Sequence, residues 1–467
     1  MKRLLVMSAL GAAMPAMAEA ARPNIVLFNI DDLGWSDMSF QGSEFYETPN
    51  IDRLRSSSLF FDNGYAAAAN SAPSRASMLS GRYAPRHGVY TVGDPARGDA
   101  KARKLIPAAT KSVLDSSSIT ILQRLKDVGY TTCHVGKWHV GVDPKDYGAD
   151  VNIGGTTMGH PNSYFSPYKN PYLEDGPKGE YLIDRLSDEA VGFIESRVES
   201  GADNPFFLYY APYAVHTPLQ PKAELAEKYS AKEGNKQHYN VKYAALIESM
   251  DCAVGRVMDY LEQSGLIENT VVIFTSDNGG LYSTSKQWPL RAGKGSFYEG
   301  GIRVPMLVRW DNVVEPNTTI STPVSQLDIY PTLVDIAQAK VDAEYVLDGE
   351  SWLRTLRSGR SKLSSRAIYW HFPAYLQSGG PESSDPVFRS RPVSVIRRGD
   401  WKLIYNYETG VKELYNLADD ISERSDLAES NPKMVDKLYE QLGGWLEQMD
   451  APRDFELNLE YVSYNGK

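Results

Sequence analysis

Cysteine is scarce in this chain: two residues, Cys133 and Cys252, in 467. That excludes a disulfide scaffold and a multi-cysteine zinc site, and allows at most one disulfide between the pair. Both cysteines read most simply as buried small hydrophobes. A basic surplus is also missing. The chain has 49 Lys plus Arg against 59 Asp plus Glu, a formal net charge of −10. Such a balance argues against a non-specific nucleic-acid binder, which carries excess positive charge. After the first twenty positions there is no apolar run of about 18 residues or more, so no membrane span is expected. Internal repeats and low-complexity tracts are absent too. What is present is 42% hydrophobic and 23% charged residues of mixed sign, a composition that folds.

Residues 1–20 have the organisation of a secretory signal. Lys2 and Arg3 form a charged end, Leu4 to Ala13 a short apolar run, and Ala16-Met17-Ala18 or Ala18-Glu19-Ala20 a small-residue cleavage site. The apolar run is too short to span a bilayer. The expected destination is outside the cytoplasm, periplasmic or secreted. Cleavage after Ala20 removes Lys2, Arg3 and Glu19, which shifts the formal charge from −10 to −11.

At about 150 residues per domain, this length allows about three domains, or one large α/β domain with an appendage. Strands are predicted at 24–30, 58–61, 131–135, 206–210, 271–275 and 306–308. Between them, helices are predicted at 48–57, 72–79, 119–127, 181–199 and 239–264. This alternation predicts an α/β fold: a large, mostly parallel or mixed sheet sandwiched by helices. Past residue 364 the pattern changes to short strands at 367–371, 393–397, 402–405 and 413–415, then a helix at 433–448. The expected organisation is a signal peptide at 1–20, a catalytic domain at 21–363 and an antiparallel-sheet α+β subdomain at 364–467. The loops at 93–118 and 136–179 are long enough to suggest function.

The chemistry-bearing residues gather where predicted strands end. Asp31-Asp32 follow the first strand, and ligands of open α/β sheets bind beyond such carboxyl ends. Adjacent carboxylates repel unless a cation compensates. Asp277-Asn278 follow another buried strand in the same way, and together the four side chains offer a hard oxygen cage for Ca²⁺ or Mg²⁺. Ser71-Ala72-Pro73-Ser74-Arg75 opens a helix whose N-terminus favours an anion, with Arg75 as a fixed cation one turn in. From these residues alone Ser71 reads equally well as a plain N-cap and Arg75 as a surface charge. Lys137 and His139 follow a strand, His216 follows another, and Lys294 lies in a glycine-rich stretch. Two lysines, an arginine, two histidines and a divalent cation converging on one anionic group suit phosphoryl or sulfuryl transfer.

Taken together these segments resemble the formylglycine-dependent sulfatases of the alkaline-phosphatase superfamily. The resemblance runs from Asn24 to about Glu429. It rests on Ser71-x-Pro73-Ser74-Arg75 with Leu79-Ser80-Gly81-Arg82 behind it, and on Asp31-Asp32-Leu33-Gly34, Gly136 to Gly141, Ser276-Asp277-Asn278-Gly279 and Glu299 to Pro305, in order. Arg398 to Ile404 and Glu413 to Leu417 resemble the family's C-terminal sheet. The resemblance implies that Ser71 is oxidised to formylglycine, whose hydrate is the nucleophile. A plain serine would leave a stable sulfate ester, whereas a geminal diol can expel sulfate by re-forming the aldehyde. It further implies that Asp31, Asp32, Asp277, Asn278 and the residue 71 oxygen hold Ca²⁺, and that Arg75 stabilises the diol. Lys137 and Lys294 would bind sulfate, His139 would assist breakdown of the sulfo-enzyme, and His216 would protonate the leaving alcohol. Many family members carry Cys at the modified position, so serine here implies a maturation enzyme able to oxidise serine.

The expected substrate is a sulfated oligo- or polysaccharide, a galactan such as carrageenan, with a glycosaminoglycan as the alternative. The competing activities are a phosphomonoesterase or phosphodiesterase using unmodified Ser71, and an inactive glycan-binding relative. Aromatic faces stack on sugar rings, and the chain has 29 Tyr and 8 Trp. Candidate sugar contacts are Arg82, His160 and His371, with Tyr164, Phe165, Tyr168, Trp370 and Tyr375.

Overall fold

The computed structural model describes residues 22–363, 365–379, 382 and 385–462; the expected secretory signal lies outside the described residues. Along the chain, β1 (Asn24–Ile30) leads to α1 (Pro49–Ser56), β2 (Leu59–Phe61), β3 (Gly64–Tyr65) and α2 (Ser71–Ser80). Then come α3 (Ala84–His87), α4 (Ile121–Asp127), β4 (Thr131–Gly136) and β5 (Val151–Ile153). Next are α5 (Leu182–Glu199), β6 (Phe206–Ala211), α6 (Ala223–Ser230), α7 (Val241–Gln263) and β7 (Thr270–Ser276). After α8 (Glu299–Ile302) follow β8 (Met306–Trp310), β9 (Thr318–Ile320), β10 (Val324–Ser325), α9 (Ile329–Ala337) and α10 (Leu353–Ser358).

The eight-stranded sheet has the order β5-β4-β6-β1-β7-β8-β2-β9. Its centre, β4, β6, β1 and β7, is parallel. β8 runs antiparallel to both β7 and β2, which makes the sheet mixed. The near-continuous apolar run of β1 follows from burial on both faces. Val26, Phe28 and Ile30 pack with Leu54, Leu186 and Leu246 on one side, while Ile25 and Leu27 pack with Leu79, Leu122 and Leu333 on the other. Every residue of α2 is buried. Its hydroxyls are satisfied accordingly: Ser74 Oγ donates to Gln326 Oε1 at 2.7 Å, and Ser80 Oγ to the Ala76 carbonyl at 2.7 Å.

The remainder comprises β11 (Ala367–Phe372), β12 (Leu376–Gln377), β13 (Phe388–Ser390), β14 (Val393–Arg398), β15 (Trp401–Asn406), β16 (Lys412–Asn416) and α11 (Pro432–Gln448). An antiparallel sheet of order β11-β14-β15-β16 carries α11 on one face, where Leu438, Leu442 and Trp445 meet Ile396, Leu403 and Leu414. Ile368, Trp370 and Val395 pack with Tyr65, Ala69 and Ile302. Buried Lys402 adds a polar tie, with Nζ 2.9 Å from Glu299 and 2.7 Å from Glu423.

Both cysteines are free, so the disulfide does not form; Cys133 is buried in β4, but Cys252 is exposed on α7. The smaller elements β5, β9, α6 and α9 are additions to the sequence expectation. β5 lies inside the stretch expected to be loop, and α9 reads Ile-Tyr-Pro-Thr-Leu-Val-Asp-Ile-Ala, a short, mostly apolar run that periodicity alone does not tell from a buried strand.

One buried histidine yields a stability prediction. His87 Nδ1 accepts from the Val89 amide at 3.1 Å, so Nε2 carries the proton and donates to Ser77 Oγ at 2.9 Å. Protonating Nδ1 would set two donors against each other. Burial, reinforced by Lys111 and Arg82, pushes its pKa down to about 3. A folded pKa below the unfolded value of about 6.5 gives stability that is complete above that value and lost as pH falls. Between pH 6 and 4, the unfolding free energy of His87→Gln should therefore fall less steeply than wild type, by about 1.4 kcal/mol per pH unit. Denaturant melts across that range check this, and parallel slopes would refute it.

Candidate active site

β1 and β7 are neighbours with Ile30 opposite Ser276, so Asp31-Asp32 and Asp277-Asn278 leave the sheet side by side. The Asp277 amide donates to the Ile30 carbonyl at 3.0 Å, and the Asp32 amide to Asp277 Oδ1 at 3.2 Å. Asn278 Nδ2 donates to Asp32 Oδ1 at 2.8 Å. Asp32 itself sits at φ 61°, a left-handed conformation that a non-glycine residue holds at a cost.

Above these strand ends stands the N-terminus of α2. Its N-cap, Asn70, makes no side-chain capping bond, so the opening turn faces the carboxylates without an internal cap. Ser71 Oγ lies 3.2 Å from Asn278 Oδ1 and 3.4 Å from Asp31 Oδ1, and Lys137 Nζ donates to it at 3.2 Å. Arg75, fully buried one turn on, donates from Nε to Asp277 Oδ2 at 2.8 Å and from Nη1 to the Lys137 carbonyl at 2.9 Å. Its Nη2 makes no hydrogen bond among the described residues.

Lys137 is delivered by the bend at Gly136, whose φ is +98°. A Cβ there would come within 2.2 Å of the Ala211 carbonyl oxygen, so glycine is required. Lys137 Nζ is 2.7 Å from Asp31 Oδ2, and Lys294 Nζ is 2.6 Å from Asp32 Oδ1. His216 Nε2 stands 3.7 Å from Asp32 Oδ2, while its Nδ1 lies 2.7 Å from the Thr217 carbonyl. His139 is buried at φ 70° with Nδ1 unpartnered among the described residues.

Charge and burial oppose each other here. Burial pushes Asp31 up to about 7; Asp277 and Asp32 push the same way, while Lys137 and Arg75 pull it down. Burial would also raise Asp277, but Arg75, Lys137 and Lys294 outweigh it and hold that carboxylate low. Burial lowers Lys137 despite Asp31. For Lys294, the burial penalty is overcome by Asp32 and Asp31, and its pKa rises. His216 is pushed down to about 4 by burial, with Asp32 opposing and the two lysines assisting. Among the described residues, the ligand atoms of Asp31, Asp32 and His216 all lie within 4.8 Å of one another.

The sequence candidates Asp31, Asp32, Ser71, Arg75, Lys137, His216, Asp277, Asn278 and Lys294 are thus joined in one network. His160 belongs at its margin, with its ring stacked on His216 at 6.1 Å between centroids. Others lie elsewhere. Arg82 follows the far end of α2, about 15 Å along the helix from Ser71, with its guanidinium over Tyr345. His371 is buried and bonded to Ser394 Oγ at 2.7 Å, so it offers no face to a sugar. Tyr164, Tyr168, Trp370 and Tyr375 are buried, and Phe165 packs on Tyr181. These aromatics support the fold. Tyr209, whose hydroxyl lies 3.4 Å from Arg75 Nη1 and accepts from Asn29 at 2.9 Å, is a supporting residue that strand alternation alone does not reveal.

A mixed sheet whose central strand ends carry paired carboxylates, under a helix N-terminus with a serine and an arginine, defines a hydrolase of the alkaline-phosphatase superfamily. Within it, the chain belongs to the sulfatase family, as a type I sulfatase and a sulfuric ester hydrolase. The sulfatase family model matches residues 23–339, and a model described as N-sulphoglucosamine sulphohydrolase, C-terminal, matches residues 293–451. A protein of Formosa agariphila described as a sulfatase is 34% identical, over 99% of this chain and 96% of its own length. The N-acetylgalactosamine-6-sulfatase of Mus musculus is 30% identical over 79% of this chain and 72% of its own. The crystal structure of Ps i-CgsB in complex with k-i-k-neocarrahexaose superposes with a TM-score of 0.75 at 32% identity, covering 91% of this chain and 92% of that one.

Proposed function

We propose that this sulfatase hydrolyses sulfate esters of an oligo- or polysaccharide, specifically a sulfated galactan such as carrageenan. The observation that carries the chemistry is the convergence of Asp31, Asn278 and Lys137 on Ser71 Oγ within 3.4 Å. The similarity to Ps i-CgsB, crystallised with a neocarrahexaose, supports the galactan. A glycosaminoglycan is the second reading, favoured by the likeness to N-acetylgalactosamine-6-sulfatase.

The donor set fits a hard divalent cation. Carboxylate and amide oxygens converge with the residue 71 oxygen, and crowding by Asp277 and Asp32 adds to the burial that raises Asp31. Asp31, Asp32, Asp277, Asn278 and residue 71 would hold Ca²⁺, which supplies charge neutralisation for the sulfate. Imidazole is a poor ligand for so hard an ion, so His216 is kept for proton transfer. Ser71 is the position of formylglycine, installed by a maturation enzyme that accepts serine, which supplies a nucleophile able to release sulfate afterwards.

Around that position each side chain has a task. Lys137 and Lys294 bind sulfate oxygens, and Arg75 Nη2, which makes no hydrogen bond among the described residues, is a donor for residue 71 oxygen charge. The Thr217 carbonyl fixes the proton of His216 on Nδ1, which leaves Nε2 to exchange a proton with the leaving alcohol oxygen. His139, whose Nδ1 makes no hydrogen bond among the described residues, would accept a proton from the residue 71 oxygen as sulfate is released. No described helix is long and apolar enough to cross a membrane.

Chromatography of defined sulfated oligosaccharides tests this reading. Sulfate release from carrageenan oligosaccharides is expected. Turnover confined to small aryl sulfates, or to phosphate esters, would overturn it.

A further inference from the structure

Beside Lys294 a cavity of about 460 Å³ opens toward solvent. Its walls include Tyr239, Tyr282, Lys286, Lys294, Glu382 and Arg389. The two tyrosines are partly exposed there, with faces that suit a sugar ring. The acid of this wall, Glu382, is already engaged: Arg424 Nη1 lies 2.5 Å from its carboxylate, and Tyr282 donates to it at 3.3 Å.

Arg389 is the unusual member. Arg391, two residues on, pairs with Asp385 and Glu408, and Arg291, which makes no ion pair among the described residues, donates instead to the carbonyls of Glu382 and Glu423 and to the Tyr415 hydroxyl. Arg389 pairs with no carboxylate among the described residues, and its one hydrogen bond runs from Nη1 to the Lys294 carbonyl at 3.2 Å. Burial pushes its pKa below the ordinary guanidinium value; Asp32 is the acid that counters this, and Arg97 adds to the deficit. Burying a guanidinium without a counter-charge is costly unless a ligand supplies one.

The backbone makes room for this side chain. Gly295 has φ +84°, and a Cβ there would meet Arg389 Cδ at 2.6 Å and Leu376 Cδ2 at 2.4 Å. Arg389, in the middle of β13, is therefore held against the Lys294 segment, bonded to the backbone of a residue whose ammonium lies on Asp32. Lys286, which makes no ion pair among the described residues, adds a second positive charge to the wall.

We infer that Arg389 is a specificity-determining residue that binds a second anionic substituent of the saccharide, distinct from the sulfate being hydrolysed. Its planar fork matches a sulfate ester or a carboxylate with two parallel N–H donors. The inference rests on the sulfatase reading above and adds to it a requirement for a multiply charged substrate. The cavity beside Lys294 then receives the part of the saccharide that carries this second charge. Bulk acidity of the chain does not oppose this, because the local wall is positive.

The test compares kcat/KM of the matured full-length enzyme on matched oligosaccharides. One carries only the scissile sulfate, one a second sulfate, and one a carboxylate in place of that second sulfate. Wild type should favour a doubly charged substrate by about 30-fold, and the preferred member of the two identifies the anion. Arg389→Gln should collapse that ratio toward unity, and Arg389→Lys should restore part of it. A wild-type ratio near unity would overturn the assignment even if the variant failed to fold. So would equal losses on all substrates in Arg389→Gln. If wild type hydrolysed none of the three, nor an aryl sulfate, the sulfatase reading would fall as well, which separates the two failures.

Discussion

Ser71→Ala will abolish sulfate ester hydrolysis, lowering kcat by about four orders of magnitude or more, because the variant has no oxygen to attack sulfur. The fold should barely notice. Ser71 contributes hydrogen bonds at 3.2 Å to Asn278 and Lys137, both of which keep other partners: Asn278 retains Asp32, and Lys137 retains Asp31. Steady-state kinetics on an aryl sulfate and on a carrageenan oligosaccharide, with a thermal melt alongside, check both halves. Retention of even about one hundredth of wild-type kcat would mean that residue 71 is not the nucleophile.

Arg75→Met will be the most destabilising single change at the site. The guanidinium is fully buried, and Asp277 depends on it: the Nε–Oδ2 contact is 2.8 Å, and Arg75 is the foremost of the positive charges that hold the Asp277 carboxylate low. Removing one member of a buried pair strands the other charge, which costs about 3–5 kcal/mol. At about 2.1 cal/mol/K per residue, that cost corresponds to a fall of about 3–5 °C in Tm for a chain of this length. Asp277→Asn in the Arg75→Met background should recover much of the stability and none of the activity. The double variant thereby separates folding from catalysis. A single-variant Tm within about 1 °C of wild type would show that Asp277 finds its counter-charge elsewhere, in Lys137 or Lys294.

The candidate network was readable because it sits at the ends of long buried strands. Asn24–Ile30 and Thr270–Ser276 are apolar runs that end abruptly in acids, and two such ends at neighbouring strands place four polar side chains together. What the residues alone left open was whether Ser71 is more than a cap; in the structure its hydroxyl meets Asn278, Asp31 and Lys137. The sugar contacts were not readable. An aromatic residue in a loop or short strand has no periodicity to say which way it faces, and Trp370 and Tyr375 face inward. His371 turns inward likewise, toward a partner, Ser394, that lies on the adjacent strand 23 residues on. Arg389 carries no sequence signal, because its lack of a carboxylate partner among the described residues depends on the tertiary neighbourhood and leaves no motif. The antiparallel placement of β8 was hidden too, since its five residues read the same in either direction.

On the proposed reading, Ser71 is converted to the group that performs the chemistry. Trypsin releases this position in the peptide spanning residues 56–75, between Arg55 and Arg75. Mass spectrometry of that peptide, from enzyme produced in a host with a serine-oxidising maturation system, tests the claim most directly. Loss of two hydrogens at Ser71 is expected, with a hydrated form one water heavier. Fully active enzyme whose peptide carries unmodified serine would contradict it.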